Sequence, residues 1–344
     1  MIYCLDTQNI HTIIDIKTDY VEYLWMRFLP DNSLVILNSD VAYQDLNLEK
    51  ILQNNPQITN VIVDCAVNTF KADNALEEIK KLNLSKKTFV ITSDYSYFKN
   101  SQCDPMIRFF PFWAVWTSSP NTTAFSYDPK LFWHQFSNKI KKHKISCLNG
   151  TTNEHRILTY LYLKDKPYFK DLVFSFGNRP YPHHHVRELL TNEEREAYKS
   201  LPDNVSFVAE DATKGIDISV NHPAFLESYV NLVTETTISN NVCMLSEKTF
   251  KPIVTGQLFV LIASPGAVQF LRNIGIDTFD DIIDHGYDSV LNTRQRIQLA
   301  LIQVDRLVEM DLVELYNCIK PRLKQNSEYF LSQEFRDQFK LNFD

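Results

Sequence analysis

The chain of 344 residues is long enough for two domains of ordinary size. Hydrophobic residues make up 44% of it and aromatic residues 12%, a composition that favours packed cores over disorder. The formal net charge of -7 argues against nucleic acid as the main partner, because nucleic acids are bound through basic patches. Glycine-rich GxGxxG and GxxxxGK patterns are absent, which argues against a dinucleotide or P-loop site.

The N-terminal stretch and the cysteines indicate a compartment. MIYCLDTQNI has no basic region followed by a long apolar stretch, so we expect no secretory signal. No apolar run reaches the ~20 residues of a membrane span. Cysteines next to apolar segments are expected to be buried free thiols, namely Cys4, Cys65, Cys147 and Cys243. We therefore expect a cytoplasmic protein without a membrane span.

Residues 1–142 are predicted to form an N-terminal α/β domain. Short β-rich runs alternate there with segments of helical periodicity, which is typical of parallel strands joined by crossover helices. Strands are predicted at 2–5, 34–37, 61–65 and 88–92, and helices at 19–28, 46–54 and 74–82. Asp64 and Asp94 stand at strand ends, where parallel sheets bind ligands, and are therefore the candidate catalytic bases.

A second α/β domain is predicted over residues 143–310. Its first strand ends at Asn149, and a helix carrying Arg156 follows. A guanidinium at such a place suits two phosphate oxygens, although an exposed helix arginine is the plain alternative. Ser175 also stands at a strand end, so Asn149 and Ser175 are expected to line a ligand-binding cleft.

The most informative stretch runs from residue 232 to 288. An apolar segment ends at Glu235, a polar loop follows, and Ser246 is placed to cap a helix that begins with Glu247 and Lys248. A lysine in the first turn opposes the helix dipole, so an anion such as a diphosphate is a better reason for Lys248 than helix stability. Glu247 is suited to accept from ribose hydroxyls, and the alternative is a capped helix with a solvated Glu–Lys pair.

This order resembles the donor-binding half of the α1,3-fucosyltransferases, where ENS, YVTEK and GxVPV motifs follow one another. The resemblance covers about residues 144–288. It implies that Glu247 binds the ribose and that Lys248 and Arg156 bind the diphosphate. Glu235, which matches the acid of ENS, and Ser246 are expected to join Asn149 and Ser175 in the donor-binding site, with the acceptor on the side of the first domain. Met244 stands where the family has tyrosine, and Ser118 where its ESP motif has a glutamate assigned as the base.

The resemblance further implies a GT-B fold, which is two Rossmann-like domains facing a cleft, with C-terminal helices at 311–344 packing back on the first domain. Asp-x-Asp is absent, which agrees with a metal-independent enzyme that uses a nucleotide sugar as co-substrate and no other cofactor. The expected partners are that nucleotide sugar and a hydroxyl acceptor such as a glycan or a lipid-linked glycan. The alternatives are a phage-type transferase for modified DNA bases, a non-catalytic sugar-nucleotide or glycan-binding module, and a phosphosugar epimerase.

Overall fold

The computed structural model of the protein describes most of the chain. The described residues are 2–5, 13–15, 32–37, 48–65, 72–82, 84, 86–100, 104–119, 133, 137, 140–150, 153–176, 189–199, 205–206, 220 and 223–339. The chain divides into two compact units, Met1–Trp116 with Arg336–Asp344, and Thr117–Phe335. These bounds differ from the predicted domain limits after residues 142 and 310. Both units are α/β with mainly parallel sheets, so the predicted α/β class is confirmed.

The first unit contains a six-stranded sheet in the order β2-β1-β3-β4-β5-β6. Its strands are β1 Ile2–Leu5, β2 Ile13–Asp15, β3 Ser33–Leu37, β4 Asn60–Cys65, β5 Lys87–Thr92 and β6 Ile107–Phe109. Only β2 is antiparallel to its neighbour. All four strands predicted for residues 1–142 are present, whereas the three-residue strands β2 and β6 were not predicted.

Helices α1 Leu48–Asn54, α2 Ala72–Leu82, α3 Tyr95–Asn100 and α4 Phe112–Ser118 follow strands β3 to β6. The predicted helices at 46–54 and 74–82 correspond to α1 and α2, and the one predicted at 19–28 lies outside the described residues. Strand β4 is buried along its whole length, which explains its nearly continuous apolar sequence. Leu48 and Leu52 of α1 pack in the same core as Ala75 and Ile79 of α2.

The second unit contains a five-stranded sheet in the order β11-β10-β7-β8-β9. Its strands are β7 His143–Asn149, β8 Leu172–Phe176, β9 Val205–Ser206, β10 Ser228–Thr234 and β11 Leu258–Ile262. The chain first adds β8 and β9 on one side of β7 and then returns to add β10 and β11 on the other side. Strand order therefore reverses between β7 and β10, and open α/β sheets bind ligands at such a reversal.

The helices of the second unit are α5 Glu154–Leu163, α6 Asn192–Lys199, α7 Pro223–Glu227, α8 Glu247–Thr255, α9 Ala267–Asn273, α10 Thr293–Glu309 and α11 Leu312–Phe330. The last helix of the described chain is α12 Gln333–Asp337. Helix α11 packs on α8, where the rings of Phe250 and Phe330 stack 5.2 Å apart and Ser327 donates to the carbonyl of Val254. The part of the predicted 311–344 segment that forms α11 therefore belongs to the second unit.

Two of the three glycines with left-handed backbones in the described part of the second unit have different surroundings. Gly256 ends α8 with φ 62°, and a Cβ there would collide with the ring of Trp133. Gly266 has φ 81°, and a Cβ there would meet no heavy atom within 4 Å. Substitution at Gly266 therefore tests backbone strain alone, and substitution at Gly256 tests backbone strain together with steric collision.

We expect Gly256→Ala to destabilise the protein more than Gly266→Ala does. Left-handed strain costs about 1 kcal/mol at either position, and the collision with Trp133 adds about 2 kcal/mol at position 256 alone. Urea unfolding of the two variants measures the difference. Equal losses of unfolding free energy would contradict the close approach of Trp133 to the end of α8.

Candidate functional site

The strand reversal between β7 and β10 is closed by polar side chains at the strand ends. The Thr234 hydroxyl donates to the side-chain oxygen of Asn149, which joins the last residue of β7 to the last residue of β10. The Asn149 amide also donates to the Cys147 sulfur at 3.4 Å, and Asn149 is buried. Ser175, in the neighbouring strand β8, is buried as well. Both predicted cleft residues thus lie at the carboxyl edge of the sheet, and the binding of a donor by either stays a prediction.

The N-terminal turn of α5 is attached to the chain that leaves β10. Asn153, His155 and Arg156 donate to three consecutive carbonyls, those of residues 236, 235 and 234 respectively. The distances are 3.4, 2.8 and 3.1 Å. Side chains some 80 positions away in sequence therefore fix the main-chain path at the end of β10.

Arg156 lies on a helix, as predicted, and it is only 1% exposed, so it is not the exposed helix arginine of the alternative interpretation. One of its terminal nitrogens donates to the carbonyl of Thr234, which is a structural contact. This bond helps to position the chain at the end of β10, a role that the sequence did not reveal. A guanidinium has five N–H donors, so one such bond does not use all of them. Its predicted contact with a diphosphate stays a prediction.

His155 is buried beside Arg156, and its chemistry follows from its one carbonyl partner. Because a carbonyl oxygen only accepts, Nε2 of His155 carries the hydrogen that it donates to Glu235 O. Burial, together with the charge of Arg156, lowers the pKa of His155 to about 3. The ring is therefore neutral at physiological pH, and it fixes the backbone rather than exchanging protons.

Glu235 is the central acid of this region. The residue is fully buried, and its carboxylate accepts from Ser246 N at 2.9 Å, Ser246 Oγ at 2.6 Å and Thr236 N at 3.1 Å. The hydroxyl of Thr249 is a fourth donor. Such a set of donors compensates the cost of burying a carboxylate. These contacts hold the start of the loop after β10 and the first turn of α8, and the binding of a donor by Glu235 stays a prediction.

Helix α8 begins as predicted. Ser246 is the N-cap residue with an extended backbone, and its oxygen accepts from Lys248 N. Glu247 and Lys248 follow in the first turn, and the two side chains form an ion pair with 2.5 Å between Nζ and Oε1. The Glu247 side chain is 6% exposed and the Lys248 side chain 25% exposed, so the pair is not the solvated surface pair of the alternative interpretation.

Glu247 and Lys248 line a small cavity at the strand reversal. Its volume is about 30 Å³, which is room for little more than one water molecule. The cavity is lined by Leu148, Gly150, Phe225, Asn231, Leu232, Val233, Thr234, Glu247, Lys248 and Lys251. It therefore combines the ends of β7 and β10 with two lysines and one carboxylate.

A larger depression of about 760 Å³ lies elsewhere in the same unit, near α9, and its chemistry differs. Four aspartates outnumber the two arginines in its wall. The Asp288 carboxylate accepts from the backbone of residues 268 and 269, and Asp280 pairs with Arg272. An anionic ligand is disfavoured there, because the carboxylates repel it and Arg272 is already paired with Asp280.

The loops after β10 and β11 are held by a buried arginine of α10. Arg296 donates to the carbonyls of Ile238, Ala263 and Val290 at 2.6 to 3.0 Å. Burial lowers its pKa to about 10, so it stays charged at neutral pH. These loops flank the carboxyl edge of the sheet, and their anchoring supports the stretch that leads into α8.

The candidate bases lie in the first unit. Asp64 is near the end of β4, and Asp94 comes two residues after β5, the neighbouring strand. Both are buried. One carboxylate oxygen of Asp94 accepts from the backbone N–H of Ser96 and Tyr97, so this residue caps α3. Catalysis by either aspartate stays a prediction.

Sequence reasoning missed two kinds of residue in the second unit. Asn153 and His155 have no motif that marks them as backbone anchors, because their partners are distant in sequence. Lys251 does carry a signal, since it follows Lys248 by three positions and so lies on the same face of α8. Phe225, whose ring lies beside the Lys251 ammonium, has no sequence signal that marks it as a cavity residue.

No protein-family model matches the chain, and the search of curated proteins finds no match.

Among the described residues, no group of three or more His, Cys, Asp or Glu side chains is placed to hold a metal ion. None of the helices in the described ranges combines the length and the apolar character that crossing a bilayer requires.

We expect Glu235→Gln to lower the free energy of unfolding by ~2–4 kcal/mol, because an amide turns one acceptor into a donor that faces Ser246 and Thr249. Chemical denaturation measures the loss. Glu314→Gln, at an exposed position in the first turn of α11, is the control and should cost no more than ~0.5 kcal/mol. Similar values for the two variants would show that Glu235 does not organise α8.

A second expectation concerns pH. The pKa of His155 is about 3 in the folded protein against a usual 6.5, so the unfolded chain binds the extra proton first as pH falls below 6.5. The contribution of neutral His155 to the free energy of unfolding is fully present above pH 6.5. It is lost as the pH falls toward 3, by ~1.4 kcal/mol per pH unit. His155→Gln does not titrate, and its stability should fall less steeply between pH 6 and 4. Parallel curves for both proteins would contradict a buried neutral His155.

Proposed function

We propose that the protein is a metal-independent glycosyltransferase that moves a sugar from a nucleotide-diphosphate sugar to an acceptor hydroxyl. The observation that carries the proposal is the ion pair of buried Glu247 with partly exposed Lys248 at the first turn of α8, beside the strand reversal between β7 and β10. Strand reversals of this kind are where α/β sheets bind nucleotides, and helix N-termini favour phosphate groups. The proposal includes a GT-B arrangement of the two units.

In this proposal, binding of the donor separates Glu247 from Lys248, and each side chain bonds to the donor instead. Without ligand, Lys248 is neutralised by Glu247. On binding, the ammonium of Lys248 would turn to the diphosphate, and the carboxylate of Glu247 would accept from ribose hydroxyls. The cavity is too small to enclose a diphosphate, so binding would also require the side chains that line it to move apart.

Leaving-group stabilisation would come from cations of the protein. Positive charge placed before the reaction next to the diphosphate stabilises the negative charge that develops as the glycosidic bond breaks. Lys248 and Arg156 would supply it in place of a metal ion. A carboxylate of the first unit, Asp64 or Asp94, would take the proton of the acceptor hydroxyl.

The proposed compartment is cytoplasmic. Cys65, Cys147 and Cys243 are buried free thiols, as the sequence predicted, and Cys4 lies outside the residues whose burial is described. Burial raises the pKa of the Cys147 thiol to about 12, which keeps it protonated and unreactive. Buried thiols that are not joined in disulfides suit a reducing environment.

The contacts of the basic stretch at 138–144 weaken the alternative of a transferase for modified DNA. Lys141 is buried and donates to the carbonyl of Leu226, Lys142 pairs with Glu227, and Lys144 donates to the carbonyl of Val308. These three lysines serve contacts within the second unit. A glycan or lipid-linked glycan is therefore the better acceptor class.

The alternative of a non-catalytic sugar-nucleotide-binding module is favoured by one observation. The Asp94 carboxylate is engaged as a helix cap, which is a structural use of one proposed base. Such a module would bind the same nucleotide and leave the donor intact. Release of nucleoside diphosphate from a nucleotide sugar, with acceptor present, therefore distinguishes the two functions.

In a panel of GDP, UDP, CMP, dTDP and ADP, we expect one of the four diphosphates to raise the melting temperature of the protein, and CMP, which has a single phosphate, to raise it less. Lys248→Met should weaken that binding ~10–100-fold, because a charged hydrogen bond contributes ~1–3 kcal/mol. EDTA should leave the binding unchanged. Calorimetric titration gives the affinities.

Lys170→Met is the matched control, because Lys170 is an exposed lysine of the same unit, remote from the first turn of α8 in sequence. Normal nucleotide binding by Lys248→Met would place the donor site elsewhere. Failure of the wild-type protein to bind any of the five nucleotides would contradict the proposal itself.

A further inference from the structure

Lys251 lies one turn beyond Lys248 on α8 and lines the same cavity. The residue is only 3% exposed, and its ammonium stands 5.8 Å from the centre of the Phe225 ring, which also lines the cavity. Lysine is almost never buried to this extent without a specific reason, because removing an ammonium from water is costly.

The charges around the cavity are unequal. Among the described residues that line it, the ionisable side chains are Glu247, Lys248 and Lys251, and the carboxylate of Glu247 is bonded to Lys248. Two formal positive charges and one negative charge therefore meet at this cavity. The first turn of α8 adds the positive end of the helix dipole on the same side of the sheet.

We propose that Lys251 is a second phosphate-binding cation, which makes this a site for a diphosphate rather than a monophosphate. The proposal rests on the donor site inferred above and goes further by assigning a second cation to the diphosphate. Lys248 and Lys251 are three positions apart, so they lie on one face of the helix, and both line the same cavity. The ring of Phe225 holds the Lys251 stem and lowers the cost of its burial.

A purely structural role for Lys251 predicts a different outcome. As a packing residue that stacks on Phe225, it would affect stability and leave the choice between one and two phosphates unchanged. As a second cation, it would matter for ligands that present two phosphates and hardly matter for a single phosphate.

The test is calorimetric titration of the full chain with inorganic pyrophosphate and with inorganic phosphate. The proteins compared are the wild type, Lys251→Met, Lys248→Met and the control Lys170→Met. Methionine keeps the unbranched stem of lysine and removes the charge. We expect Lys251→Met to lower pyrophosphate affinity at least about tenfold and phosphate affinity less than about threefold. Lys248→Met should weaken both, and Lys170→Met neither.

Pyrophosphate binding by Lys251→Met within about twofold of the wild type would overturn the inference. If Lys248→Met still lost binding in that case, the donor site would stand and only the role of Lys251 would fall. A wild-type protein that bound neither pyrophosphate nor any nucleoside diphosphate would instead contradict the proposed function. If Lys251→Met does not fold, Lys251→Gln is measured in its place against the same two outcomes.

Discussion

The buried carboxylate of Glu235 is the interaction on which the rest of this region depends. It lies at the end of β10, and it accepts from Thr236, Ser246 and Thr249, which span the loop and the first turn of α8. Its own carbonyl accepts from His155 of α5. One residue thus connects a central strand to two helices, and the place of Glu247 and Lys248 at the cavity follows from it.

This arrangement separates two electrostatic tasks. Glu235 is fully buried and surrounded by donors, so its charge is used inside the protein and hardly acts on a ligand. Glu247, Lys248 and Lys251 line the cavity, where their charges act on whatever occupies it. A rigid support behind a few adjustable side chains is the arrangement that holds a binding site in a productive geometry.

Local patterns were sufficient to predict part of this. The strand β11, the N-cap Ser246 and the start of α8 depend on neighbouring residues, and the sequence shows all of them. The bonds of Arg156 and His155 to the chain after β10 depend on the tertiary fold, as do the four donors of Glu235. No spacing rule reaches across 80 residues, so burial of Arg156 was not foreseen. The strands β2 and β6 are too short for periodicity to reveal them.

Because Glu247 and Lys248 are neighbours in sequence, the empty and occupied states of the proposed site need differ only in side-chain partners. The backbone beneath them is fixed by Glu235 and Ser246, so α8 does not have to move for the ion pair to open. Ordering a long side chain costs only ~0.5–1.5 kcal/mol on binding, whereas moving a packed helix would disrupt the stacking of Phe250 on Phe330. Recognition by exchange of the ion pair is therefore the less costly route, and it makes affinity depend on how strongly Glu247 competes for Lys248.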